Sequence, residues 1–285
     1  MAKKITCTND RAISVYFDYT FTPFFLVSCD GLYGTTNRVD RTDNTNTDGS
    51  TYQGMNTEER NIVITAQMCE NYQGNRDILY KCFRPKTKGV LVHEENGIKR
   101  QIEYVVESID VEEKGVVRNI TISLLSGDPF FTDTDYTTEH MASWTSGFEW
   151  EHEFKEEGEE IGYRTMELIK EIENNSTTDN TGAIIRLEAL AEVNTPTVRN
   201  LTTGQFITIN TSMQFGDAIE ICTETNKKNV YLIRGERTTS INGLIDEDSD
   251  FIQLVAGENT LQYEAVSGTE KLNVSVRFRQ KYLGV

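Results

Sequence analysis

The sequence predicts a mainly β protein, on three observations. Over roughly the last hundred residues apolar and polar side chains alternate with a period of two. Ile207 and Ile209 stand against Phe206, Thr208 and Asn210; Leu272, Val274 and Val276 stand against Asn273, Ser275 and Arg277. Successive side chains of a strand point to opposite faces, so this period sorts one residue class to each face. Turn clusters separate these runs about every ten residues, the spacing of a sandwich or jelly roll. Finally, 37% hydrophobic residues with 13 Phe and 12 Tyr suffice for folded cores, yet no apolar run reaches the roughly 18 residues of a transmembrane helix.

The elements follow in order. Ile13–Val27 is a β-branched and aromatic run broken at Pro23, where a proline suits a kink or an edge. Residues 38–56 are polar, with Gly49 and Gly54 and no apolar period, and read as an exposed loop. Asn61–Cys69 alternates as a strand. Residues 75–83 suit a short helix with Asn75 as N-cap and Asp77 in the first turn, stopped by Arg84-Pro85. Leu91–His93, Arg100–Val106 and Val117–Leu125 are strand candidates, the last two joined as a hairpin around Glu112–Gly115.

Gly127-Asp128-Pro129 cannot continue a central strand and marks a domain boundary. The expected domains are 1–131 and 132–285, and 285 residues leave room for two. Residues 132–147 read as a linker. In Phe148–Phe154 the aromatics and His152 share one face and three glutamates the other, the pattern of a strand. Residues 164–173 carry both helical spacing and strand character, and strand is preferred, turning at Asn174-Asn175-Ser176.

Charge and cysteines narrow the class. Net charge is −17, and residues 133–180, with 14 acidic and 3 basic side chains, hold −11 of it. Phosphate affinity comes from clustered Lys and Arg, so direct DNA binding is disfavoured. Five scattered cysteines without a C-x-x-C argue for reduced thiols and against a zinc ribbon. The opening MAKKITCTND lacks the apolar stretch of a signal peptide, which suggests a protein made and folded in a cytoplasm.

No catalytic set stands out. His93, His140 and His152 are far apart in sequence, and no G-x-S-x-G elbow occurs, so no enzyme is expected. Glu151-His152-Glu153 on a strand points its carboxylates away from the imidazole and does not chelate. Asn44–Gly49 resembles half a calcium loop, but Met55 stands where the bidentate Glu belongs. Asp246–Asp250 reads as a solvated turn. No metal or cofactor is therefore expected. Trp150 shares the face of Phe148 and Phe154 and reads as core; Trp144, in the polar linker, is the candidate carbohydrate contact.

An ordered set of motifs carries a resemblance. NTPTVRNLTTGQFITINTSMQFGDAIEI (194–221), SDFIQLVAGEN (249–259, with Ser249, Phe251, Leu254, Gly257 and Asn259) and KYLGV (281–285) resemble the distal tail protein (Dit) family of siphophages. FRPKTKGVLV (83–92) and Gly-Asp-Pro-Phe-Phe (127–131) resemble the same family's first domain and its exit. The resemblance implies an N-terminal sandwich or split-barrel-like ring domain followed by a galectin-like (jelly-roll) sandwich. It further implies a virion tail protein, usually a homohexamer. The ring joins the tail tube protein to the tail-tip protein, sometimes with a receptor-binding protein, and DNA passes through it unbound. On this expectation ring closure buries the strand edges of 1–132, and a net-negative wall lets DNA slip past. The alternative is a carbohydrate-binding accessory protein that contacts the cell wall through 132–285.

Overall fold

The computed structural model describes residues 3–20, 23–45, 47–146, 162–166, 168–178 and 180–285; at 142–146 and 162–166 the description is of the backbone alone. The chain divides into two compact units, one of Met1–Thr134 with Lys281–Val285 and one of Asp135–Gln280.

The first unit runs β1 (Lys3–Asn9), β2 (Ser14–Asp18), β3 (Phe25–Asp30), β4 (Asn37–Asp43), β5 (Ser50–Thr57), β6 (Arg60–Met68), α1 (Tyr72–Cys82), β7 (Lys88–Glu95), β8 (Ile98–Val111), β9 (Arg118–Ser126) and β10 (Phe131–Asp133). The strand order β8-β7-β1-β2-β3-β6-β9 closes on itself because β9 also pairs with β8. Alternation explains the closure. Ile62, Ile64, Ala66 and Met68 on β6, and Ile120, Ile122 and Leu124 on β9, turn to one core. Their neighbours face out. Closure removes the free edges that the ring was expected to bury, because the barrel pairs its edges internally.

Two local readings are corrected. The helix begins at Tyr72 with Asn71 as N-cap, not at Asn75. Asn75 is buried inside the helix, where its Nδ2 donates to Glu70 O at 2.8 Å and satisfies a carbonyl of the preceding turn. Residues 38–56 form not a loop but the antiparallel pair β4–β5, tied over seven positions from Asn37↔Thr57 to Asp43↔Ser50. Their side chains are nearly all exposed, so no apolar period exists to reveal them.

The second unit runs β11 (Thr137–His140), β12 (Ala142–Ser146), β13 (Gly162–Met166), β14 (Ile169–Asn174), β15 (Asn180–Ala189), β16 (Val193–Asn200), β17 (Phe206–Thr208), β18 (Ser212–Met213), β19 (Asp217–Cys222), β20 (Asn229–Arg234), β21 (Arg237–Ser240), β22 (Gln253–Val255), β23 (Gly257–Ser267) and β24 (Leu272–Phe278). One sheet is ordered β11-β24-β15-β19-β20-β21 and a second β14-β23-β16-β17. Both turn apolar faces to one core: Ile185, Ile219 and Val274 from the first, Ile172, Val198 and Leu261 from the second. The stretch 132–147, read as a linker, contains strands: β10 pairs with β8, β11 with β24 and β12 with β13. The last strand, β25 (Lys281–Tyr282), belongs to the first unit and pairs there with β10.

Candidate assembly interface

The hairpin β4–β5 stands out in the first unit. Tyr52 is 75% exposed and Met55 73%, and Val39 is exposed beside them. An isolated two-stranded hairpin is marginal in water, because it orders backbone without burying a face. At the end of this hairpin Asn44 N donates to Gly49 O at 3.2 Å; Asn46, within the stretch that resembles half a calcium loop, lies outside the described residues.

In the same unit a second feature joins distant segments. Arg60, at the start of β6, is only 4% exposed. Its guanidinium donates to Pro129 O, Gly31 O and Leu283 O, each at 2.6 Å, and lies 4.9 Å over the Phe131 ring. Burial pulls its pKa below the usual value. A planar fork suits three acceptors in different directions; an ammonium does not. Gly31 has φ +85°, and a Cβ there would sit 2.1 Å from Asn61 O, so only glycine brings its carbonyl to Arg60.

In the second unit the stretch 249–259 is explained by three buried asparagines. Asn259 Oδ1 accepts from Val255 N at 2.9 Å, and its Nδ2 donates to Val255 O at 2.7 Å and Gly257 O at 3.1 Å. Asn200 Nδ2 donates to Asn259 Oδ1 at 3.1 Å and Gln253 O at 3.0 Å. Asn174 Nδ2 reaches Leu254 O and Val255 O, both at 3.1 Å. Leu254 is buried and Gly257 has φ +89°. The spacing of Leu254, Gly257 and Asn259 is therefore that of a tight turn held by its own amide side chain.

The titratable groups sit in structural settings. His93 is buried on β7 with Nε2 3.8 Å from Glu95 Oε2, and burial lowers its pKa, aided by Lys3 and Arg100. Burial raises the Cys7 thiol, pushes Cys29 up to about 12 and Cys82 up to about 11, and raises Cys222. His140 lies exposed on β11, its backbone O accepting from Lys170 Nζ at 2.9 Å. Asp246 heads a turn, accepting from Asp248 N at 3.2 Å and Asn210 Nδ2 at 3.3 Å. Trp144 lies on β12 with its backbone opposite Arg164. Phe148, Trp150, Glu151, His152, Glu153 and Phe154 lie outside the described residues. Sequence reasoning missed Arg60 and the hairpin: a lone Arg and a polar stretch carry no period.

Comparison with known proteins completes the picture. The family profile "Siphovirus-type tail component, C-terminal domain" matches residues 176–282. The profile "Phage tail protein RIFT-related domain" matches residues 18–126. The Dit protein of phage SPP1, described as a paradigm of the hub adsorption apparatus in phages infecting Gram-positive bacteria, has the same fold. It superposes with a TM-score of 0.67 at 12% identity, over 97% of this chain and 98% of that one. A chain of the phage P2 baseplate in its activated conformation with Ca gives 0.55 at 14% identity, over 100% and 99%. The phage p2 baseplate with Sr gives 0.54 at 12%, over 99% of each. No curated protein sequence matches. With both profiles matched in order on the two units, the chain belongs to the distal tail protein (Dit) family of siphovirus tail components.

Proposed function

We propose that copies of this chain close into a ring-shaped hub at the tail tip. The ring, a hexamer on the family reading, joins the tail tube protein to the tail-tip protein and surrounds the path of the DNA. The first unit supplies the ring contacts, and no catalytic step is involved. The hub and baseplate roles of the SPP1 and P2 relatives support this reading. The observation that carries it is the β4–β5 hairpin: a ladder of seven paired positions with exposed Tyr52, Met55 and Val39 needs an external surface, and in a ring the next copy supplies one. Contacts of that kind are heterologous and close only by rotation. A net charge of −17 favours passage of DNA over its retention.

Light scattering on the purified protein, followed by negative-stain images, tests the proposal. A mass near six times 32.4 kDa with annular particles supports it. A monomer at tens of micromolar that stays monomeric with the tail tube and tail-tip proteins added overturns it.

A further inference from the structure

The chain leaves the first unit after Thr134 and re-enters it at Lys281, so a stretch made after the whole second unit is part of the first. Each of the five residues there makes a specific contact. Lys281 Nζ lies 2.8 Å from Asp128 Oδ2. The Tyr282 hydroxyl donates to Asp133 Oδ2 at 3.2 Å, and its ring stacks under the Arg100 guanidinium at 3.7 Å. Leu283 O accepts from Arg60 at 2.6 Å, and Gly284 O accepts from Arg100 Nη1. Val285 N donates to Leu32 O at 3.3 Å. Backbone pairing adds Phe131↔Tyr282 and Thr132↔Lys281, alongside the fully buried Phe131.

We propose that Lys281–Val285 is a latch that seals the Arg60 corner of the first unit only after the second unit has been made. Five residues are too few to hold a structure by themselves; the contacts named above all come from the first unit. A chain folding from its N-terminus forms the β6–β9 and β7–β8 ladders early, since none of their residues lies beyond Ser126. The corner at Gly31, Arg60 and Pro129 stays open until the latch arrives. Its last acceptor, Leu283 O, lies 223 residues beyond Arg60. The first unit is thereby completed in step with the second. This ordering stands whether or not the protein forms a ring.

Hydrogen exchange read peptide by peptide tests it on the full-length protein and two variants, one ending at Gln280 and one carrying K281A with Y282A. Amides of 31–33 and 128–133 are expected to exchange at least tenfold faster in both variants, with Ile185–Leu187 and Ile219–Ile221 unchanged. Unchanged exchange at 128–133 overturns the latch, and so does an equal acceleration in both units. If the shortened chain does not fold, the double variant decides.

Discussion

The guanidinium of Arg60 donates to the carbonyl of Leu283 at 2.6 Å, although 223 residues separate them. With Gly31 and Pro129 it gathers a strand, a turn and two ends of a discontinuous unit around one buried cation. Only backbone carbonyls and the Phe131 ring face it among the hydrogen-bond and ring partners described. Replacing Arg60 is therefore expected to lower the stability of the first unit by about 2–4 kcal/mol, the scale of several charge-assisted hydrogen bonds lost at a buried site. Arg60→Lys is expected to recover less than half, since a point charge cannot serve three directions. Calorimetry resolving two transitions checks this; an unchanged first-unit transition in Arg60→Ala excludes the keystone role.

Asn259 makes a comparable case in the second unit. It satisfies both the amide and the carbonyl of Val255 and anchors Asn200. Asn259→Asp keeps the shape but removes the donors to Val255 O and Gly257 O. It is expected to cost about 2–3 kcal/mol, the price of burying unsatisfied carbonyls beside a carboxylate. Urea denaturation followed by Cys222 labelling, a second-unit probe, reads the shift. A loss under about 0.5 kcal/mol contradicts the network.

Tyr52 and Met55 lie on the exposed hairpin, so Y52S with M55S is expected to change monomer stability by no more than about 0.5 kcal/mol. If the hairpin makes the ring contact, the same pair is expected to lower the assembled mass at a given concentration at least tenfold in apparent affinity. Sedimentation velocity across a dilution series separates the two effects. Full assembly by the double variant rules out the hairpin as the contact.

His93 predicts acid sensitivity. Burial holds its folded pKa below the ordinary value near 6.5, with Lys3 and Arg100 adding to the same effect. The unfolded chain therefore binds a proton that the folded state refuses. Its contribution is fully present above about pH 6.5 and is lost as the pH falls below that value. His93→Gln is expected to flatten the first-unit melting temperature between pH 6.5 and 5, before carboxylates begin to titrate. A native profile with no slope there contradicts the assignment.

The thiols predict the opposite limb. Cys29 is pushed up to about 12 and Cys82 to about 11, first by burial. Ordinary thiols ionise near 8.5, so the folded state keeps protons that the unfolded chain releases. Stability is full below about pH 8.5 and declines as the pH rises through the range up to 11–12. At pH 8 Cys7 and Cys82 are expected to resist iodoacetamide until the protein is denatured. Rapid native labelling of Cys7 contradicts its burial.

The sequence by itself determined the mainly β class and most strands whose one face is buried. Ile62 to Met68, Ile120 to Leu124 and Leu272 to Phe278 all announce themselves through a period of two, because a half-buried strand must sort its side chains. It also pointed to the family, through the ordered motifs at 83–92, 127–131, 194–221, 249–259 and 281–285. Tertiary structure alone decided the rest. The β4–β5 hairpin has no buried face and hence no period. Closure of the barrel depends on β8 meeting β9 as well as β7. The placement of Lys281–Val285 in the first unit depends on Arg60 and Arg100 finding carbonyl oxygens about two hundred residues away. Local patterns report which face of a strand meets a core; they carry no information about which distant segment completes a hydrogen-bond set, because that choice is made by the geometry of the assembled chain.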